Sequence, residues 1–314
     1  MPMKRPLAIT GGDCAGIGPE IIAQAVTRFP EESFRIYTNY ALFQRACKTA
    51  QIPMPEGVEW VDLPLNVQPE AVQPGENQAA TGALAYASVI TAGQAALRGE
   101  VRGLITAPFS KAAIHLAGHK HIPGHTELLA QLCGHKEATM AFFSPQLIVS
   151  LVTIHCALRD VPNLITQERL LRVLRDTAQA VERIKGRRPR LGVLALNPHA
   201  GEGGAFGDEE SRIIAPTLRE ASPWADCEGP LVPDTAFLRT SGAARFDAFV
   251  AMYHDQGLIP FKAQAFERGV NVTLGLPLVR TSPDHGTAFD LAWRGRASPT
   301  SMIAAIACAK DLTQ

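Results

Sequence analysis

The chain lacks the features that would assign it to a membrane, a nucleic acid or an oxidising compartment. Every apolar stretch is interrupted well short of the roughly 18 residues needed to cross a bilayer, and residues 1–6 lead into a strand-like run without a signal-peptide hydrophobic region. Charge of one sign is missing too. The 30 basic and 30 acidic residues cancel, and no basic cluster exceeds the Lys185-Gly-Arg187-Arg188 turn, which leaves no electrostatic surface for nucleic acid or membrane. The six cysteines (Cys14, Cys47, Cys133, Cys156, Cys227, Cys308) include no Cys-x-x-Cys pair, which argues against a zinc ribbon and a disulfide framework. These absences predict a cytoplasmic protein with mostly buried thiols, in which any anionic substrate must be held by charges placed locally.

What is present fits a globular enzyme. With 46% hydrophobic and 19% charged residues, 314 residues can bury a large core and form two subdomains. Strand and helix signals alternate from end to end, the pattern of an α/β protein with a largely parallel sheet. Residues 7–10 read as a strand, 11–19 as a glycine-rich turn, and 20–28 as a helix with Pro19 in its first turn. Further strands are expected near 58–61 and at 103–106, 147–153, 191–196 and 248–252, with helices at 82–98, 166–185 and 209–221. Proline-rich residues 51–75 read as a loop-dominated excursion. With no linker or repeat in view, the two subdomains are expected to share one continuous sheet. The glycine-rich turn matches neither Gly-x-Gly-x-x-Gly nor Gly-x-x-x-x-Gly-Lys-Ser/Thr, so it reads as a tight turn near the cleft rather than a phosphate loop.

Three histidines follow apolar runs: Thr-Ile-His155-Cys, Asn-Pro-His199-Ala-Gly-Glu-Gly-Gly and Met-Tyr-His254-Asp-Gln-Gly. If the runs are parallel strands, all three imidazoles lie at one sheet edge, where ligands bind in open α/β sheets. Converging neutral imidazoles make a divalent-metal site with open coordination positions; taken singly, each reads as a loop residue. Zinc suits three imidazoles, and magnesium, manganese or cobalt remain open. Lys111, which follows a strand into an Ala-Pro turn, is a candidate general base or anion contact. Asp255 and Asp234 are possible acid-base or supporting carboxylates, helix capping being the plainer account of Asp234. Cys156 neighbours a candidate ligand and could also be read as a nucleophile or soft ligand.

Several longer blocks carry a family resemblance: Gly16-Ile-Gly-Pro-Glu20, Thr106-Ala-Pro-Phe-Ser-Lys111, Pro123-Gly-His-Thr-Glu127, Asn197-Pro-His-Ala-Gly-Glu-Gly-Gly204, Tyr253-His-Asp-Gln-Gly257, Gly269-Val-Asn-Val-Thr-Leu-Gly-Leu-Pro277 and Arg280-Thr-Ser-Pro-Asp-His-Gly-Thr287. In this order, and nearly end to end, they resemble the 4-hydroxythreonine-4-phosphate dehydrogenases of pyridoxal phosphate biosynthesis and their relatives acting on threonate or erythronate 4-phosphate. Cys14 departs from the proline usual in the family's first turn, and the chain is short between residues 51 and 78; both leave the subfamily open.

The resemblance implies an α/β/α sandwich like that of isocitrate and isopropylmalate dehydrogenases. It implies a cofactor-side subdomain of residues 1–120 plus 281–314, and a second of residues 121–280 with the metal ligands, substrate residues and dimer interface. It further implies a homodimer with the active site at the subunit interface. The implied metal ligands are His155, His199 and His254, some reaching across from the partner; the implied substrate residues are His125, Thr126, Lys262, Asn271 and Arg280. Lys262 and Arg280 suit a phosphate, with Asn271 and Thr126 fixing orientation. The segment Asp284, His285, Gly286, Thr287 and Asp290 is similar to the adenosine-contacting segment of isopropylmalate dehydrogenases, its glycine allowing close backbone approach and the following helix start complementing negative charge.

The reaction so implied is metal-dependent oxidation of the C3 hydroxyl of 4-hydroxy-L-threonine 4-phosphate by NAD or NADP. The β-keto acid formed loses carbon dioxide to give 3-amino-2-oxopropyl phosphate. Within the family the alternatives are a D-threonate or D-erythronate 4-phosphate dehydrogenase and a cis-dihydrodiol carboxylate dehydrogenase. A phosphate-metabolite binding protein or a hydrolase using the three histidines is the alternative outside it, and the cofactor-like segment argues against that one.

Overall fold

The apolar tetrapeptides Leu7–Thr10 and Gly103–Thr106 are completely buried, as strands covered on both faces must be. They are neighbours at the centre of one half of the protein in a computed structural model that describes residues 4–135, 137–238, 245–265 and 267–314. The chain divides into two units, Met1–Ala138 with Leu276–Gln314, and Thr139–Gly275.

In the first unit, β1 (Leu7–Thr10), β2 (Phe34–Thr38), β3 (Glu59–Asp62), β4 (Gly103–Thr106) and β11 (Arg280–Pro283) lie in the order β3-β2-β1-β4-β11, and every pair is parallel. The helices are α1 (Gly18–Val26), α2 (Tyr40–Ala50), α3 (Ala79–Leu97), α4 (Lys111–Leu116), α5 (His125–Leu132) and α11 (Thr300–Leu312). α1 packs on α2 and α11, α11 lies on β11 and β4, and α3 lies on β1, β2 and β4 and carries α4 and α5. Contact between α3 and α4 is close enough to require glycine: a Cβ on Gly82 would stand 2.0 Å from the Ala113 carbonyl oxygen. That approach seats the Ser110–Lys111 turn, whose Ser110 hydroxyl caps α4 by accepting from the Ala113 amide at 3.2 Å.

In the second unit, β5 (Thr139–Phe143), β6 (Ile148–Leu151), β7 (Arg190–Leu194), β8 (Asp226–Leu231), β9 (Ala248–Ala251) and β10 (Val270–Leu274) follow the order β10-β5-β6-β9-β7-β8. The β6/β9, β9/β7 and β7/β8 pairs are parallel; β10/β5 and β5/β6 are antiparallel. The fold is therefore α/β with mostly parallel strands, as the alternation of elements predicts. β5 and β10 escaped the sequence reading. β5 is tied to β6 by a short hairpin in which the Ser144 hydroxyl accepts from the Leu147 amide at 3.0 Å, and such a connection needs no crossover helix.

The second unit's helices are α6 (Val161–Leu164), α7 (Gln167–Lys185), α8 (Ala215–Ala221), α9 (Pro233–Ala236) and α10 (His254–Ala265). α7 realises the helix expected at 166–185: Thr166 caps it by accepting from the Arg169 amide, Gly186 ends it at φ 64°, and Leu170, Val173, Leu174, Thr177 and Val181 form its buried stripe. The helix expected at 209–221 is present over those residues, with one widened turn near its start. Pro216 has no amide to give, and the preceding turn, Glu210–Ile214, widens so that Ala215 donates to the Glu210 carbonyl, five residues back. Of the six cysteines, only Cys14 and Cys47 are fully buried; the other four are half-buried.

Candidate active site

Within the second unit, parallel pairing of β6, β9 and β7 brings their carboxyl ends to one edge, where α/β sheets collect their ligands. The chain leaves these strands at Leu151, Ala251 and Leu194 and within five residues reaches His155, His254 and His199. The edge is braced by Gln256, a buried side chain that accepts from the Met252 amide and donates to the Ala195 carbonyl, both at 2.7 Å. This pins the start of α10, where His254 is the first residue, to the ends of β9 and β7.

The His155 and His254 rings lie 5.8 Å apart between centroids. Two imidazoles on one ion, with metal–nitrogen bonds of about 2.0–2.1 Å, have ring centres roughly 5 Å apart, so this pair fits a shared divalent cation. Asp255 Oδ1 stands 2.7 Å from His254 Nδ1, a contact that orients the ring and would leave Nε2 to face a ligand. His199 does not complete a trio, because no group of three or more His, Cys, Asp or Glu side chains able to hold a metal occurs among the described residues.

His199 lies on a loop of unusual backbone. From His199 to Gly203 the backbone is left-handed at every residue, with φ between 42° and 80°. Each non-glycine residue in that conformation costs about 1–2 kcal/mol, a cost met here at His199, Ala200 and Glu202. The turn presents His199 at the surface, its ring edge-on to Phe206 and its Nδ1 3.5 Å from Glu202 Oε2. Elsewhere in this unit, Lys262 is exposed in the last turn of α10, and Asn271 is half-buried on β10 opposite Phe142 of β5. Asp234 is exposed in the first turn of α9 and makes no capping bond there; Val232 occupies the cap position.

The first unit assembles a different group. Arg280 opens β11 and is 3% exposed, yet its Nε and Nη2 both reach the Thr106 hydroxyl, at 3.0 and 2.7 Å. Burial draws its pKa down to about 10, with the Glu127 charge pulling the other way. It remains a cation at neutral pH.

His125, the first residue of α5, stacks on Phe109 with ring centroids 3.6 Å apart. One ring nitrogen donates to the Ala107 backbone, while Nε2 is enclosed without a partner. Burial, then the charges of Arg280 and Lys111, hold this imidazole well below its usual pKa, so it is neutral. Thr126, next on α5, is buried, and Lys111 is exposed at the start of α4. A neutral acceptor beside a buried guanidinium suits a polar, anionic small molecule.

The glycine-rich turn packs directly against the cofactor-like segment. Ile17 donates its amide to the Thr287 carbonyl at 3.1 Å, and a Cβ on Gly16 would meet that same oxygen at 2.7 Å. Asp284 donates its backbone amide to the Ser301 hydroxyl at the start of α11, at 3.3 Å, and His285 Nδ1 lies 2.9 Å from the Gly286 carbonyl. Asp290 sits in a three-residue 3-10 turn, Phe289–Leu291, reached through a left-handed Ala288. The helix that follows this segment is α11, which begins at Thr300, after left-handed Trp293 and Gly295.

Inside the glycine-rich turn, Asp13 is wholly buried, its Oδ1 accepting from the Ala15 amide at 3.0 Å. Burial outweighs that bond and raises its pKa to about 6. Asp13, Thr106, Phe109 and Glu127 lie in or beside the motifs that carry the resemblance, but their roles depend on contacts with residues distant in sequence. A strand-end threonine or a phenylalanine after a proline gives no separate signal of such a role.

An α/β protein with polar groups gathered at strand ends is an architecture of small-molecule enzymes. The model of the family described as pyridoxal phosphate biosynthetic protein PdxA matches residues 19–309, and the chain belongs to this family. It is 45% identical to a 4-hydroxythreonine-4-phosphate dehydrogenase of Geobacter metallireducens, the match covering 100% of this chain and 97% of the relative. It is 41% identical to a D-threonate 4-phosphate dehydrogenase of Salmonella typhimurium, across 98% of this chain and 99% of the other. The solved structure of a putative 4-hydroxythreonine-4-phosphate dehydrogenase from Salmonella typhimurium superposes with a TM-score of 0.89 at 41% identity, covering 99% of this chain and all of that one.

Proposed function

We propose that this protein is a metal-dependent NAD(P) dehydrogenase that oxidises the C3 hydroxyl of 4-hydroxy-L-threonine 4-phosphate in pyridoxine phosphate biosynthesis. Full-length identity of 45% to a dehydrogenase of that name carries the reading. In the reaction the hydride on C3 passes to the nicotinamide and the hydroxyl proton to a base. The resulting β-keto acid loses carbon dioxide to yield 3-amino-2-oxopropyl phosphate. The full-length match to a D-threonate 4-phosphate dehydrogenase favours one second reading, in which C2 bears a hydroxyl instead of an amine.

The residue roles follow from the chemistry of each group. His155, His199 and His254 would hold a divalent ion, zinc by preference, which when bound supplies Lewis-acid polarisation of the substrate hydroxyl. Arg280 and Lys262 balance the phosphate charge, with Asn271 and Thr126 donating to its oxygens or to neighbouring polar groups. His125, neutral and carrying an unpartnered Nε2, accepts from a substrate hydroxyl or ammonium. Lys111 and Asp255 are the candidates to take up the proton. Asp284, His285, Gly286, Thr287 and Asp290 line the NAD(P) side. The working form in this reading is a cytoplasmic homodimer with its active site at the subunit interface.

The test is NAD(P) reduction with 4-hydroxy-L-threonine 4-phosphate, D-threonate 4-phosphate and D-erythronate 4-phosphate, each with zinc and with a chelator. Turnover of the first substrate, lost on chelation, is the expected result. Absence of reduced cofactor with all three in the presence of metal would sink the dehydrogenase reading, and preference for a threonate would select the second one.

A further inference from the structure

A left-handed turn of five residues needs something to impose it, and the residues that do so here have no role so far. Glu210 is 5% exposed and sits inside the loop formed by residues 196–207. Its Oε1 accepts from the Leu196 amide at 2.9 Å and from the Asn197 amide at 2.8 Å, and its Oε2 accepts from Asn197 Nδ2 at 3.0 Å. The same Nδ2 donates to Glu209 Oε2 at 2.7 Å. Gly201 packs against this carboxylate, since a Cβ there would stand 2.8 Å from Glu210 Oε2; the Phe206 amide then closes the loop by donating to the Gly201 carbonyl at 3.2 Å. Every one of these contacts flanks His199, and none involves its ring.

We infer that Glu210, acting through Asn197 and supported by Glu209, is a positioning residue that holds the left-handed turn so that His199 is presented as a metal ligand. The carboxylate draws two successive amides and the Asn197 side chain to one point, which fixes the chain direction entering Pro198. Glycine at 201 lets the turn lie directly on that carboxylate. With the acceptor gone, His199, Ala200 and Glu202 have no reason to stay left-handed, and the imidazole loses its fixed direction. The widened turn at Glu210–Ile214 starts at this very residue, so the wide turn of that helix and the presentation of His199 share an anchor. The inference rests on the reading of His199 as a ligand.

Zinc affinity of the full-length, metal-stripped protein, measured by competition with a chromophoric chelator, tests it. Glu210→Gln, Asn197→Asp and His199→Ala are compared at one oligomeric state, set by size-exclusion chromatography, and at a temperature where circular dichroism shows each folded. Glu210→Gln and Asn197→Asp are expected to weaken zinc binding about tenfold or more, the usual consequence of removing a group that orients a ligand. Cobalt-substituted protein should show an altered visible absorption band in the same variants, a signature that a loss of fold stability alone would not give. Wild-type affinity in both variants, with His199→Ala impaired, would overturn the positioning role and leave the ligand reading standing. Wild-type affinity in His199→Ala would overturn the ligand reading and the positioning role with it. Should Glu210→Gln not fold, Glu209→Ala, which removes one of the two acceptors of Asn197 Nδ2, replaces it; a smaller loss of affinity supports the role and none overturns it.

Discussion

Arg280 donates twice to a single oxygen, the hydroxyl of Thr106, and so ties the first residue of β11 to the last residue of β4. A guanidinium gripped in this way has a fixed direction, and its planar fork is the geometry suited to an anion. The lowering of its pKa to about 10 leaves it charged throughout the physiological range.

Replacing Arg280 by Lys keeps the charge and removes the fork. KM for the phosphorylated substrate should rise about tenfold or more while KM for NAD(P) changes little, because a lysine cannot reproduce bidentate geometry. Equal rises in both constants would count against a phosphate role. Thr106→Val, which removes this acceptor with little change of shape, should cost about 1.5–3 kcal/mol in urea unfolding, the range for hydrogen bonds to a charged group.

The neutrality of His125 has a measurable pH signature. Its pKa is lowered in the folded protein, by burial first and then by Arg280 and Lys111, so the unfolded chain binds the proton more tightly. Stability is therefore lost as pH falls below about 6.5, the unfolded value, and is unaffected by this group above it. His125→Gln, which cannot take up that proton, should show a shallower fall of stability between pH 6.5 and the acid transition. The ring nitrogen resonances of the wild type should stay those of a neutral imidazole at pH 6; a protonated ring there would contradict the assignment.

Asp13 has the opposite sign. Its pKa is raised from 3.8 to about 6 by burial, so the folded state binds the proton more tightly, and the associated stability is present below pH 3.8 and lost as pH rises through 6. Asp13→Asn, whose side-chain oxygen can still accept from Ala15, should therefore stabilise the protein at pH 8 by roughly 2–3 kcal/mol and flatten the pH dependence between 4 and 6. Thermal or urea unfolding at pH 4.5 and pH 8 measures this. A destabilised variant at pH 8 would show that the carboxylate is required in its charged form.

Gly82 and Gly93 of α3 provide a contrast in packing. Alanine at position 82 would drive a methyl into the Ala113 backbone, whereas at position 93 the nearest atom is the flexible end of Leu132. Gly82→Ala is expected to destabilise by about 2–3 kcal/mol and to lower kcat by displacing the Ser110–Lys111 turn. Gly93→Ala should cost less, helped by the better helix propensity of alanine. Unfolding curves of the two variants compare them directly.

Much of this architecture was legible in residue order. The runs at 7–10 and 103–106 were read as strands and are β1 and β4, and the periodicity of 166–185 became α7 within a residue at its start. These segments are apolar or amphipathic enough for local pattern to dictate their state. Reading failed where the deciding partner lies elsewhere. β5 and β10 depend on antiparallel pairing with each other, and the wide turn inside the helix at 209–221 arises where Pro216 withholds an amide and Glu210 is claimed by the loop before it.

The candidate site divides the same way. Motif wording picked out His125, Arg280 and the three histidines, because residue type and order are properties of the chain alone. Their states were not in the chain. The neutrality of His125 comes from burial beside Phe109 and then from the charges of Arg280 and Lys111, against the opposing bond to Ala107, and the fork of Arg280 needs Thr106, 174 positions away. Likewise, order along the chain placed His155, His254 and His199 after three strands, but the parallel neighbours β6, β9 and β7 brought those strand ends to one edge, paired the His155 and His254 rings, and left His199 on a left-handed turn at the surface. Patterning of apolar residues settles which segments are buried, since burial depends on side-chain chemistry repeated at a regular spacing. Charge state and ligand geometry depend on distances between residues remote in sequence, and those distances exist only once the chain has folded.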